Sequence, residues 1–349
     1  MAIRGANSNP HARFNALEFE PDPEALEFDE VVEPRTRFVA DASRSVISSN
    51  SSPDIPFDKS LNPYRGCEHG CAYCYARPSH EYLGLSAGLD FERIIFVKHD
   101  AARLLAAELS RKSWKPQLLE LSGITDPYQP VERHLKITRS CLEVLLDFRN
   151  PVGIITKNHL VTRDIDLLQE MARLNLVRVS LSITSLDEGL RSRLEPRTST
   201  AARRLAAVSR LAEAGIPVHV SVAPLIPAVN DHEVPAILKA ASDAGASSAS
   251  YTILRLPGSV ADVFQDWLQE HYPERSAKVL GRVRQMRHGK LAHSDFSDRM
   301  RGSGEYASQI RDLFTVSRLR YGLAKRGAGP EPATDLFRVP GRAIQPTLF

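Results

Sequence analysis

Three features of the sequence predict an α/β fold built on a parallel sheet, closed or partly closed as a barrel. Short strand-like runs alternate with helical patterns through the middle of the chain. Several of the runs read as apolar on both faces, as parallel strands covered by helices must be. The repeat of strand then helix favours parallel pairing.

The runs are RIIFVK (93–98), QLLELSG (117–123), VGIITK (152–157), VRVSLSI (177–183), PVHVSVAPLI (217–226) and SASYTIL (248–254). Each is rich in Val, Ile or Leu and bounded by turn residues. Helical patterns at 99–111, 134–148, 163–174, 200–214 and 232–244 separate them. In such barrels chemistry sits at the C-terminal ends of the strands. The polar residues there are therefore candidates: Ser122, Thr125 and Asp126 after one run, Lys157 and Asn158 after the next, Ser182 and Thr184 after the one following.

The barrel core is expected over 56–258. Before it, residues 1–55 carry Glu18, Glu20, Asp22, Glu24, Glu27, Asp29, Glu30 and Glu33 with little to bury, and are expected to stay disordered. Residues 259–325 read as a helical C-terminal extension, and the Gly- and Pro-rich stretch 326–349 as a flexible tail.

The 349 residues, 42% apolar and 25% charged, match a globular chain. A net charge of +3 is too weak to argue for nucleic acid by itself. No run approaches the ~18 apolar residues of a membrane span. The segment GANSNPHARFN after Arg4 has no apolar stretch of a signal peptide, so the cytoplasm is expected and no membrane partner.

Three of the four cysteines fall in RGCEHGCAYCYAR, with Cys67, Cys71 and Cys74 spaced C-x3-C-x2-C. Such clustering reads as metal binding in a reducing compartment rather than as a disulfide scaffold. A cubane iron–sulfur cluster normally takes four thiolates, so three on one loop leave one iron open, as catalytic sites require. Gly66 and Gly70 let the loop wrap closely. Zinc is the alternative, with His69 or His80 completing a Cys3His site. Against it, no second ligand pair stands at finger-like distance, and the triad opens an α/β domain rather than a small module. Cys141 lies in the amphipathic ITRSCLEVLLD and reads as a small buried residue.

The spacing, with Tyr73 before the last cysteine, resembles the radical S-adenosylmethionine superfamily. The strings NPYRGCEHGCAYCYARPSHEY, LSGITDPYQPVE, ITKN, SLSIT and LEPRTSTAARRLAAVSRLAEAGIPVHVSVAPLIPAVND resemble its spore photoproduct lyase-like branch, over roughly residues 57 to 320. The resemblance implies a partial (β/α)6 TIM-type barrel, a [4Fe–4S] cluster on Cys67, Cys71 and Cys74, and S-adenosylmethionine on the open iron. It implies reductive cleavage of that cofactor to a 5′-deoxyadenosyl radical that takes hydrogen from substrate, and an electron donor such as flavodoxin or ferredoxin. By the same resemblance Lys157 and Ser182 hold the methionine end of the cofactor, Ser122, Gly123 and Thr125 approach its amino group, and Thr184 joins them. Tyr73 and Tyr75 flank Cys74 as candidate catalytic groups, Tyr73 toward the adenine. A surface lysine and a strand-end serine are the plainer readings of Lys157 and Ser182. One departure bears on the reaction: the lyase carries a hydrogen-donating cysteine in the segment matching LSGITDPYQPVE, where this chain has Gly123 and Ile124. Turnover of spore photoproduct is therefore not expected.

Arg191, Arg193, Arg197, Arg203 and Arg204 form a basic stretch, read as solvated helix residues paired with Glu188 and Glu195, with phosphate contact as the sharper alternative. Asp231 and Glu233 read as caps of the following helix. The final QPTLF is similar to the peptides that bind the bacterial sliding clamp, through Gln345, Leu348 and Phe349. The leading function is a radical enzyme acting on nucleic acid, with DNA repair as its setting. The alternatives are a radical enzyme modifying tRNA, a peptide or a small metabolite, and a non-catalytic zinc or cluster protein.

Overall fold

A computed structural model describes residues 4–14, 35–292, 295–296 and 298–341. The acidic run at 18–33 and the QPTLF terminus lie outside the described residues.

The strands in chain order are β1 (Arg37–Ala40), β2 (Ile47–Ser49), β3 (Lys59–Leu61), β4 (Tyr64–Arg65), β5 (Ile94–Val97), β6 (Leu119–Leu121), β7 (Val152–Thr156), β8 (Val177–Ser182), β9 (Val218–Leu225), β10 (Ser248–Ile253) and β11 (Ala324–Lys325). The helices are α1 (Leu89–Arg93), α2 (Ala101–Leu109), α3 (Glu132–Leu135), α4 (Ile137–Phe148), α5 (Ile165–Arg173), α6 (Glu188–Leu194), α7 (Ala201–Glu213), α8 (Val234–Asp243), α9 (Val260–His271), α10 (Pro273–Gln285) and α11 (Gly304–Arg320).

The main sheet runs β11-β10-β9-β8-β7-β6-β3-β2 and stays open. Its pairs are parallel except β2 with β3. Six parallel strands, β3 and β6 to β10, form the partial barrel. One expectation needs correction. The run at 93–98 is not a barrel strand, because β5 sits in a separate sheet between β1 and β4. The first barrel strand is β3, in register with β6 as Ser60↔Glu120. Three residues are too few to show a period in the sequence.

A second correction concerns the faces. Strands β8 and β9 alternate rather than being apolar throughout. Val177, Val179, Leu181, Val218, Val220 and Val222 are at most 5% exposed and join the core formed with Leu142, Leu168, Val208, Leu211 and Ile237 of the helices. The intervening residues face the barrel interior, which is polar. Glu120, Gly153 and Arg178 stand in one register row, and Ser180, His219 and Ser248 in another.

The chain outside the barrel is less free than its composition suggests. Ala6 and Ala12 are buried, and residues 35–55 supply β1 and β2. At the other end α9, α10 and α11 pack on the barrel as an extension. The described part of the expected tail is tied beneath the sheet: Asn175 Nδ2 donates to the Glu331 carbonyl at 2.7 Å, and Phe337 meets Phe148 at 6.2 Å between ring centres. Glu233 occupies the N-cap of α8 but its side chain makes no capping bond, and Asp231 opens the 3-10 turn before it. The Glu233 carboxylate accepts instead from Ser185 Oγ and the Leu186 amide, both at 2.7 Å.

Candidate active site

The loop carrying the cysteines follows β4 and is shaped by its two glycines. Gly66 and Gly70 adopt φ of 80° and 64°. A Cβ at Gly66 would stand 2.9 Å from the Ile94 carbonyl, and one at Gly70 2.6 Å from the Glu92 carboxylate. Backbone bonds curl the loop, from the Cys74 amide to the Cys71 carbonyl at 3.2 Å and from the Arg77 amide to the Cys74 carbonyl at 3.3 Å.

Arg77, the last residue of the motif, pins this loop. Its guanidinium donates to the Cys71 carbonyl at 3.0 and 2.9 Å, to the Ala87 and Gly88 carbonyls at 3.1 and 2.8 Å, and to Glu92 at 2.5 Å. Both partners of the ion pair have fully buried side chains. Glu92 accepts in addition from the Gly5 and Ala6 amides at 3.2 and 2.8 Å. Neither Arg77 nor Glu92 stood out in the sequence. A charged residue three places after the last cysteine of an otherwise small and aromatic loop was the available signal.

All four cysteines are free. Cys67 and Cys71 are buried and Cys74 half-buried. Burial pushes the Cys67 thiol well up, with Asp126 and Cys71 adding to it. Burial likewise raises Cys71, opposed by Lys157 and Arg204, and Cys74, opposed by Arg77. Three uncommitted thiols on one wrapped loop fit a cluster that takes three protein ligands. Among the described residues no three His, Cys, Asp or Glu side chains converge where a single ion would sit. His69 is bonded on both ring nitrogens, whereas His80 is held through one and its Nδ1 is buried without a partner. His69 meets Asp126 at 3.3 Å and Asn158 at 3.3 Å, while His80 Nε2 meets the Ile94 carbonyl at 2.9 Å.

The strand ends converge on two knots. One is Glu195, fully buried. It faces Arg204 at 2.5 Å and Lys157 at 3.2 Å, and accepts from Thr184 Oγ1 at 2.6 Å and from the Tyr73 hydroxyl. Burial opposes its ionisation, yet Arg204, Lys157 and the two hydroxyls outweigh that and hold the carboxyl well below the ordinary range. Lys157 Nζ also donates to the Ala223 carbonyl at 3.2 Å and lies 5.6 Å from the Tyr73 ring centre. The Ser182 carbonyl accepts from Arg204 at 2.8 Å. Tyr73, Lys157, Ser182 and Thr184 are thus gathered around one carboxylate that the sequence had offered only as an arginine's partner.

The second knot is Asp126. It accepts from Thr156 Oγ1 and the Lys157 amide, both at 2.7 Å, besides facing His69. Beside it, Ser122 Oγ donates to the Thr125 carbonyl at 3.0 Å and Thr125 Oγ1 to the Tyr64 carbonyl at 3.3 Å. Gly123, at φ 114°, offers its carbonyl to the Tyr75 hydroxyl at 2.5 Å. Tyr75 is 51% exposed and Ile124 40%, so both stand at the open mouth. Arg255, after β10, lies 5.7 Å from the Tyr75 ring centre.

The basic stretch pairs as expected but is not all solvated. Arg191 meets Glu188 at 2.6 Å and Arg204 meets Glu195, and both arginines are buried. Arg197 pairs with Glu68 at 2.9 Å.

A partial parallel barrel with three free thiols on the loop after its first strand, and polar knots at its C-terminal strand ends, defines an α/β enzyme. The family model of the Radical SAM superfamily matches residues 61–241. The chain belongs to the radical SAM superfamily, and the family implies a [4Fe–4S] cluster and S-adenosylmethionine. An uncharacterized protein of Mycobacterium tuberculosis (strain ATCC 25618 / H37Rv) is 33% identical over 84% of this chain and 83% of its own. An uncharacterized protein of Methanocaldococcus jannaschii is 28% identical over 61% of this chain and 76% of its own. In structure the chain is similar to spore photoproduct lyase complexed with dinucleoside spore photoproduct. The TM-score is 0.60 at 18% identity, over 82% of this chain and 81% of that one. At that identity the likeness speaks for the fold. No described helix is long and apolar enough to cross a membrane.

Proposed function

We propose that Cys67, Cys71 and Cys74 hold the [4Fe–4S] cluster, that S-adenosylmethionine lies over the strand ends, and that the substrate is a nucleic acid. The observation that carries the cluster assignment is the set of three free thiols on a loop pinned by the buried Arg77–Glu92 pair. When bound, the cluster supplies the electron that splits S-adenosylmethionine into methionine and a 5′-deoxyadenosyl radical able to take hydrogen from substrate.

The chain's own residues bind, orient and exclude water. Lys157, 3.2 Å from Glu195 and acting electrostatically on Cys71, offers a cation for the cofactor's carboxylate. Ser122, Gly123, Thr125, Ser182 and Thr184 line the strand ends around it. Tyr73 braces the loop against Glu195, and Tyr75 stands between that loop and the mouth. The nucleic-acid reading rests on the fold shared with a lyase whose structure holds a dinucleoside. It also rests on Arg255 beside Tyr75 at the open end, where a phosphate would meet a cation. Gly123 and Ile124 put no thiol at the mouth, and Cys141 is fully buried in α4. Any hydrogen returned to a product radical therefore comes from another donor, and spore photoproduct is not the expected lesion. Flavodoxin or ferredoxin would serve as reductant, and QPTLF as a tether to the sliding clamp.

Anaerobic protein with dithionite and S-adenosylmethionine should release 5′-deoxyadenosine, slowly, even without substrate. Lys157→Ala should weaken cofactor binding while leaving iron content unchanged. No 5′-deoxyadenosine from a fully loaded cluster would sink this reading.

A further inference from the structure

The barrel has a second chamber, at the N-terminal end of its strands and away from the cysteine loop. Glu120, Arg178, Ser180, His219, Ser248 and Arg326 line it, around a space of about 110 Å³. The chamber is built in by the sheet register. Glu120, Gly153 and Arg178 stand side by side on β6, β7 and β8, and Ser180, His219 and Ser248 on β8, β9 and β10. Gly153 is part of it, because a Cβ there would stand 2.4 Å from the Glu120 carboxylate.

Its polar groups are unevenly satisfied. His219 is complete, bonded to Ser248 Oγ at 2.9 Å and Ser250 Oγ at 2.7 Å. Glu120, 2% exposed, has no hydrogen-bond or ion-pair partner among the described residues. Arg178 and Arg326 both act on it electrostatically, yet neither has a carboxylate within 4.0 Å among the described residues. Burial pushes the Glu120 carboxyl above its ordinary range, against the pull of those two arginines. Buried carboxyls are normally bonded, so Glu120, without a protein partner and facing the half-buried Arg178 and the exposed Arg326 across the chamber, marks the place of an occupant.

Two cations call for an anion, and the carboxyl calls for a donor. A tetrahedral oxyanion that carries its own proton meets both demands: its oxygens accept from Arg178 and Arg326, and its O–H donates to Glu120. The space of about 110 Å³ admits an ion of this size. We propose that this chamber binds inorganic phosphate in its hydrogen-phosphate form. Nothing in it involves the cluster or the cofactor, so it stands or falls apart from the radical chemistry.

Calorimetric titration of the full chain at pH 8 and matched ionic strength tests it with three probes: phosphate, sulfate and glycerol 3-phosphate. Phosphate should bind, and sulfate, with no proton to give Glu120, should bind at least about tenfold more weakly. Arg326→Gln, at the exposed rim and clear of the apolar core, should weaken phosphate by about tenfold as well. Glu120→Gln should erase the preference for phosphate over sulfate. Absence of phosphate heat beyond the ionic-strength control would overturn the assignment and leave a water-filled space. So would equal binding of sulfate, unchanged binding by Arg326→Gln, or tighter binding of glycerol 3-phosphate.

Discussion

Replacing Glu195 by Gln asks whether one buried carboxylate locks the cysteine loop to the strand ends. Its side chain is 0% exposed and that of its partner Arg204 1%, at 2.5 Å. The amide keeps the size of the side chain and can still accept from Thr184 and Tyr73, but it removes the charge. Arg204 is then left in the interior without a counter-ion. Removing one partner of a buried pair typically costs about 3–5 kcal/mol. Lys157, 17% exposed, retains contact with solvent and adds little. In urea, with a slope near ~3 kcal/mol/M for a chain of this size, the midpoint should fall by roughly 1–2 M. The assay is urea unfolding of the metal-free protein followed by circular dichroism. A loss below about 1 kcal/mol in Glu195→Gln, the range of a surface pair, would refute the reasoning.

After anaerobic reconstitution the chain should hold about four irons and four sulfides. Alanine at Cys67, Cys71 or Cys74 should abolish them by iron assay, while Cys141→Ala should keep them; stoichiometric zinc without iron would contradict this. His219 should make the protein acid-sensitive. Burial first, then Arg326 and Arg178, lower its pKa to about 3, so below its unfolded value near 6.5 only the unfolded chain gains the proton. Stability should be full above pH 6.5 and fall toward pH 3 by up to about 1.4 kcal/mol per unit, a slope that His219→Gln should reduce in unfolding curves. A peptide spanning 338–349 should bind bacterial sliding clamp with micromolar affinity, as short tails with a few apolar anchors do. Alanine at Leu348 and Phe349 should abolish that binding without changing iron content.

The barrel was legible because strands and helices alternate with distinct periods. The cysteine loop was legible because three thiols within eight residues, too close together to staple a fold, point to a metal centre. What escaped was set by contacts across the chain. Strand β3 is three residues long and is defined by pairing with β6, not by any pattern of its own. Strand β5 reads locally like a barrel strand, and only its partners β1 and β4 exclude it. Glu195 looked like a surface partner because Glu188 and several arginines surround it in sequence. Its burial comes from Tyr73 and Lys157, both far from it along the chain. The polar barrel interior was hidden by counting His219 and Arg178 against the valines beside them.

The first described residues change what counts as the smallest working piece of this enzyme. Gly5 and Ala6 complete the hydrogen bonding of Glu92, and Gly5 packs so tightly that a Cβ there would overlap the Gly70 carbonyl. A gene cut to the barrel alone would leave Glu92 answering only to Arg77 and would bare the back of the cysteine loop to solvent and dissolved oxygen. Affinity handles and fusion partners therefore belong well clear of residue 4, and a library that varies the leader should treat Gly5 as fixed.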